Sequence, residues 1–278
     1  MNGRKVHLVL GSGGARGMAH IGVIEVLEEY QFEIASITGC SMGAVVGGLY
    51  AAGYLKEYKE WLLTLNKSKL FSLFDFTFTK AGFVKGDKIL LKLREFTGDQ
   101  TIEHFRIPFT AVATDILHRK EVHYNSGDLY KALRASVGIP GVFTPVLDQQ
   151  TYLVDGGVLN PLPLNLVQKQ NGEDWVVAVN INAHQKKHQP DPDAEETTTA
   201  PPVYNVLDLI NTSYDFTQDR LTELMIEKYQ PEILVEIPRS ACSVFDFHLG
   251  AQLIELGRQA CLSVLQKKPG LTNEGSAV

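Results

Sequence analysis

Cysteine is scarce. Three thiols in 278 residues, Cys40, Cys242 and Cys261, make an odd number and form no C-x-x-C pair. That excludes a disulfide framework and a zinc ribbon, and it fits a reducing compartment. Long apolar runs are missing too: none reaches the roughly 18 residues that a membrane-spanning helix needs. The opening Met-Asn-Gly-Arg-Lys leads into a short apolar run at residues 6–10, which suits a buried strand and not a signal peptide. The expected location is therefore cytoplasmic. Positive charge is in deficit, with 26 Lys and Arg against 32 Asp and Glu for a net −6. Nucleic acid is an unfavourable partner, because phosphate binding relies on clustered cations. There is no internal repeat.

What remains is the composition of a globular enzyme, 44% hydrophobic with 24 glycines, and a chain long enough to bury a large core. Residues 5–10 read as a strand, followed by the turn Gly11-Ser12-Gly13-Gly14-Ala15-Arg16-Gly17 and a helix over 18–30. A second strand at 34–38 runs into Gly39-Cys40-Ser41-Met42-Gly43, and a small-residue helix continues to about Ala52. Further strands are expected at 109–114, 121–124, 152–154, 175–180 and 233–237, and helices at 56–65, 87–96, 128–135, 203–228 and 247–266. This alternation predicts an α/β fold with a mostly parallel central sheet flanked by helices. Residues 183–202 carry no large apolar anchor and read as a mobile loop; 267–278 read as a flexible tail. The expectation is one domain over 1–278, with its motif-bearing core at about 5–182 and C-terminal helices and a strand over 203–266.

Gly39-x-Ser41-x-Gly43 has the spacing of a nucleophile elbow. Such a turn between strand and helix exposes the serine hydroxyl and leaves no room for side chains two positions away. The helix that follows directs its N-terminus at the reacting atom. In the turn before it, bare amides around Gly13 and Gly14 can bind an anion. A dinucleotide-binding reading of that turn fares worse, since Arg16 stands where a third glycine belongs and the second strand ends without a ribose-binding acid. Ser41 needs a base. The eight histidines, His7, His20, His104, His118, His123, His184, His188 and His248, have no informative local context. An α/β-hydrolase order is also disfavoured, because Ser41 follows only the second strand. Asp155 ends a short apolar strand ahead of Gly156 and Gly157. It is a turn former or, if desolvation raises its pKa, a general base.

Three segments in this order, 11–17, 39–43 and Asp155-Gly156-Gly157, resemble the motifs of the patatin-like phospholipase family. The stretch 134–145 resembles the segment ahead of that family's catalytic aspartate. The resemblance spans about residues 5–182. It implies a three-layer α/β sandwich and acyl-ester hydrolysis on phospholipids, lysophospholipids or related fatty-acyl esters. It implies Ser41 as nucleophile, Asp155 as base, no catalytic histidine, and an oxyanion hole at Gly13, Gly14 and Ala15, with Arg16 bracing the turn or helping to hold the anion. No metal or other cofactor is expected. The motif glycines would be Gly11, Gly17, Gly39, Gly43, Gly156 and Gly157. Ser12 departs from the family, which often has glycine there. An acyltransferase using the same acyl-enzyme, and a non-catalytic lipid-binding protein, are the alternatives.

Residues 54–95 stand apart. They hold nine Lys and Arg against five Asp and Glu, and eight of the 25 aromatics: Tyr54, Tyr58, Trp61, Phe71, Phe74, Phe76, Phe78 and Phe83. Either these aromatics line the acyl pocket and core, or the segment is a lid or a contact with an anionic membrane surface.

Overall fold

The computed structural model describes residues 3–73, 75–79, 82–148, 150–169, 171–184 and 205–268. Its elements run in the order β1 (Lys5–Leu10), α1 (Ala19–Glu29), β2 (Glu33–Cys40), α2 (Met42–Ala51), α3 (Leu55–Leu63), α4 (Lys67–Leu73), β3 (Phe76–Thr79), β4 (Gly82–Val84), α5 (Asp87–Thr97), β5 (Phe109–Asp115), β6 (Lys120–Tyr124), α6 (Leu129–Ser136), β7 (Val146–Asp148), β8 (Thr151–Asp155), β9 (Trp175–Ala183), α7 (Val206–Tyr229), β10 (Ile233–Pro238) and α8 (Gly250–Gln266).

The main sheet has the order β10-β9-β1-β2-β5-β8-β7, with β6 also paired to β5. Its first five strands are mutually parallel, while β6, β7 and β8 join antiparallel. Alternation along the strands divides the core between the two faces. Val6, Leu8 and Leu10 of β1 and Val177, Val179 and Ile181 of β9 belong to the larger cluster, with α1, α2 and α8. Val9, Val176 and Ala178 point the other way, onto Leu162, Leu164 and the Met225–Ile226 turn of α7. Helices therefore cover both faces of a mostly parallel sheet, as expected.

Register places the motifs. Cys40, the last residue of β2, pairs with Val112 of β5, and Asp155, the last of β8, pairs with Ala113. With adjacent strands about 4.8 Å apart, a side chain from each strand end spans the intervening β5. In α2, Gly43 permits the close approach that seats the helix: a Cβ there would lie 2.2 Å from Leu10 O.

Several details differ from the sequence expectations. The turn after β1 closes as a 3-10 segment, Gly14–Met18, so the regular helix starts at Ala19. Lys67–Leu73 is helical, and Phe76–Thr79 pairs with Gly82–Val84 in a small hairpin. The helix was missed because its seven residues hold too little periodicity to separate helix from loop, whereas alternating Phe74, Phe76 and Phe78 did allow a strand. The proposed 183–202 loop lies outside the described residues from position 185 onward, as does the 267–278 tail from 269.

Candidate active site

Ser41 occupies the tight turn between β2 and α2 with φ 56° and ψ −121°. A non-glycine residue rarely adopts this backbone geometry. No side-chain capping bond ties the hydroxyl to α2. Oγ instead donates to Asp155 Oδ2 at 2.5 Å. The Ser41 N–H donates to Ser136 Oγ at 2.9 Å, and Ser136 donates onward to Val112 O at 2.6 Å. Ser136, at the end of α6, is fully buried. Its role was not foreseen: a lone serine carries no sequence signal of which distant backbone it will bond.

Asp155 is 1% exposed. Its Oδ1 accepts the Gly157 N–H at 2.7 Å, with the Cys40 thiol 3.8 Å away. Desolvation pushes its pKa up to about 6, and the bonds from Ser41, Gly157 and Cys40 only partly oppose the rise. A buried carboxylate of this affinity is still mostly ionised at pH 7. Burial, and then the nearby Asp155, push the Cys40 thiol up, so it stays neutral. Gly39 and Gly43 flank the elbow at backbone contact distance of each other, Gly17 packs on Met42, Gly11 donates its N–H to Val179 O at 3.0 Å, and Gly156 lies against Val112 O.

The glycine-rich turn divides its donors. Ser12 N–H goes to Pro161 O and Ala15 N–H to Val244 O, both at 2.9 Å. The Gly13 and Gly14 N–H groups have no acceptor among the described residues. Gly14 borders the cavity at Ser41. Two of the expected anion contacts are thus corrected: the Ala15 amide is spent on Val244. Arg16 is turned away, its guanidinium donating to Ile181 O at 3.0 Å, Cys242 O at 2.9 Å and Asn182 Oδ1 at 2.7 Å. Asn182 in turn donates to Ser12 O at 2.7 Å. Arg16 therefore braces the turn.

Among the described residues no histidine bonds to Ser41 or Asp155. His20 supports the turn through Gly11 O at 2.9 Å, and burial brings its pKa down to about 4, so it is neutral. His7 lies between Ser36 and Asp174 at 2.7 and 3.4 Å. That trio resembles a triad, but it sits at the N-terminal ends of the strands, across the sheet from Ser41.

An apolar cavity of about 830 Å³, open mouth included, starts at Gly14 and Ser41. Met42, Val45, Leu62, Leu90 and Leu93 line it, with Tyr58 and Trp61 from the aromatic segment. Those two aromatics serve the pocket, whereas Phe71 is 69% exposed. Phe74 lies outside the described residues, as do the side chains of Phe76, Phe78 and Phe83. Among the described residues no His, Cys, Asp and Glu cluster could hold a metal ion, and no helix is long and apolar enough to cross a membrane.

A mostly parallel α/β sheet, a strained serine turn at a strand end and an apolar cavity beside it suit an ester hydrolase. Residues 8–167 match the family model for patatin-like phospholipase. An uncharacterized NTE family protein of Mycobacterium tuberculosis is 32% identical over 94% of this chain and 91% of its own length. The lysophospholipase NTE1 of Cryptococcus neoformans is 35% identical over 65% of this chain, which spans only 11% of that protein. VipD of Legionella pneumophila covers 96% of this chain and 67% of its own at a TM-score of 0.49 and 12% identity. The chain belongs to the patatin-like phospholipase family and is a lipid acyl-ester hydrolase.

Proposed function

We propose that the protein hydrolyses phospholipids, lysophospholipids or related fatty-acyl esters through a Ser41–Asp155 dyad and an acyl-enzyme. The observation that carries this reading is the 2.5 Å bond from Ser41 Oγ to the buried Asp155 carboxylate, at the head of an apolar cavity. Asp155 Oδ2 takes the Ser41 proton as Oγ attacks the ester carbonyl carbon. The carbonyl π electrons move onto oxygen. That oxyanion faces the Gly13 and Gly14 amides and the N-terminus of α2. Collapse expels the alcohol, which leaves with the proton from Asp155, and the acyl group stays on Ser41. Asp155 next takes a proton from water as the water oxygen attacks the acyl carbon. Fatty acid departs, and the proton returns to Ser41 Oγ. The acyl chain occupies the cavity lined by Leu62, Leu90 and Leu93.

The test is release of p-nitrophenol from a chain-length series of esters, and of fatty acid from lysophospholipid. The dyad predicts that Ser41→Ala and Asp155→Asn, both folded, each lose at least ~10³-fold in kcat. An Asp155→Asn variant close to wild type would mean that another group is the base.

A second reading adds peripheral membrane contact. The short helix α4 leaves Lys67, Lys69 and Phe71 exposed, while Leu70 and Leu73 line the cavity. Basic and aromatic groups at a lipid-accepting mouth suit an anionic bilayer. Phe71→Ser should weaken binding to phosphatidylserine vesicles and leave hydrolysis of a soluble short ester intact; undiminished vesicle binding would dismiss the contact.

A further inference from the structure

α7 contributes nothing to the sequence motifs, yet it reaches the site. Gln218 is buried on its inner face. Its Nε2 donates to Gly157 O at 3.2 Å and to Tyr214 OH at 3.0 Å. A carbonyl oxygen only accepts, so the nitrogen end of the amide must face Gly157, and both of its hydrogens are committed. Gly157 in turn grips Asp155 Oδ1 through its own N–H at 2.7 Å. The cluster is tight. A Cβ on Gly157 would lie 2.3 Å from Gln218 Nε2, 3.0 Å from Asp155 Oδ1 and 3.2 Å from Ser12 Oγ. The next helical residue, Asp219, pairs with Arg239 after β10 and lies 2.5 Å from His184 Nε2, which locks this turn of α7 in place.

We infer that Gln218 is a positioning residue for Asp155: by holding the Gly157 peptide from α7, it keeps the Gly157 N–H aimed at Oδ1 and sets the proton affinity of the base. The inference rests on the dyad reading of the site. Packing alone does not account for Gln218, because an apolar side chain of the same size would fill the space without spending two donors.

The electrostatic setting makes this bond matter. The titratable groups facing Asp155 are the Cys40 thiol from β2 and the Tyr214 phenol from α7. Burial pushes both upward, so both stay neutral. Glu121 of β6 acts on Cys40, and Asp215 of α7 is paired with Arg239 at 2.8 Å. From the glycine-rich turn, Arg16 is turned away, and α6 supplies only the Ser136 hydroxyl. With no cation against it among the described residues, the carboxylate relies on donors, chiefly Ser41 and Gly157. Loosening the Gly157 peptide weakens stabilisation of the charged form, so the pKa of Asp155 rises further.

The experiment is a ¹³C NMR titration of the Asp155 side-chain carboxyl, identified by the signal lost in Asp155→Asn, on wild type, Gln218→Met and Tyr214→Phe. Gln218→Met is expected to raise the midpoint by roughly 0.5–1 pH unit. Tyr214→Phe, which frees one amide hydrogen and keeps the Gly157 contact, should raise it by less. The acid limb of kcat/KM for a soluble ester should move upward by the same interval, with activity recovering at pH 8. An unmoved midpoint in Gln218→Met, or an activity loss equal at every pH, would overturn the inference and leave Gln218 a packing residue. If Gln218→Met does not fold, Gln218→Leu, which removes the same donor to Gly157 O, decides by the same midpoint. The titration needs no turnover, so a wild type inactive on every ester would defeat the dyad reading while this test still returned its answer.

Discussion

Ser136 Oγ accepts a hydrogen bond from the backbone N–H of Ser41 at 2.9 Å and donates one to Val112 O at 2.6 Å. One hydroxyl thereby joins the strained elbow to the strand beside it. Ser136→Ala leaves a buried N–H and a buried C=O without this partner, at a cost of about 2–4 kcal/mol. It should also release Ser41 from φ 56°. The expected result is a lower urea midpoint with kcat reduced more than KM is raised. Lost stability with unchanged kcat would mean that packing alone holds the elbow.

In the proposed dyad Asp155 has to be ionised to take the Ser41 proton, and its pKa is pushed up to about 6. The rate constant kcat/KM on a soluble short-chain ester should therefore climb through about pH 6 and level off above pH 7. A pH–rate profile measures it. A limb near pH 4 would show that the carboxylate is solvated in the working enzyme.

The same shift has a consequence for stability. The folded pKa lies above the unfolded one, so the native state binds the proton more tightly. The contribution is present in full below about pH 3.8 and is lost as pH rises through about 6. Ionised Asp155 thus burdens the fold at neutral pH. Asp155→Asn should raise the Tm at pH 7–8, by a free energy on the order of 1–3 kcal/mol, with the gain vanishing near pH 4. Thermal melts across pH compare the two proteins, and equal Tm values at pH 8 would contradict the burden.

Arg16 spends all three of its nitrogens on Ile181 O, Cys242 O and Asn182 Oδ1. Lysine carries the same charge but not the planar fork. Arg16→Lys should destabilise the protein by roughly 2–4 kcal/mol and lower activity with it. Wild-type Tm and activity in this variant would mean that charge alone suffices at this position.

Leu90 borders the cavity and is largely buried. Leu90→Trp narrows the space for an acyl chain, and the optimum of the ester series should move to shorter chains while acetate and butyrate esters keep their rates. An unshifted optimum would place the acyl chain elsewhere.

The α/β order, both glycine turns and the candidate Ser41 were legible in the amino-acid order because each depends on local chemistry, whereas Asp155 stood out as its partner only through the resemblance of Asp155-Gly156-Gly157 to a family motif. Apolar runs of strand length and glycines at a fixed spacing around a serine leave marks within a few residues. The glycine-rich turn was legible only in part. Its sequence offered four anion contacts, but Val244 takes the Ala15 amide and the ends of β9 and the segment after β10 take Arg16.

Every feature decided by tertiary structure joins residues remote in the chain. Ser41 meets Asp155 because β5 lies between β2 and β8 and sets their register. Ser136 reaches the elbow from 95 residues away, and Gln218 reaches Gly157 from 61. The aromatic segment shows the same division: its composition was plain, but only packing assigned Tyr58 and Trp61 to the cavity and left Phe71 exposed. Periodicity records which face of an element is apolar. Which donor then meets which carbonyl, and how far a carboxylate is desolvated, depends on contacts made only when the layers close.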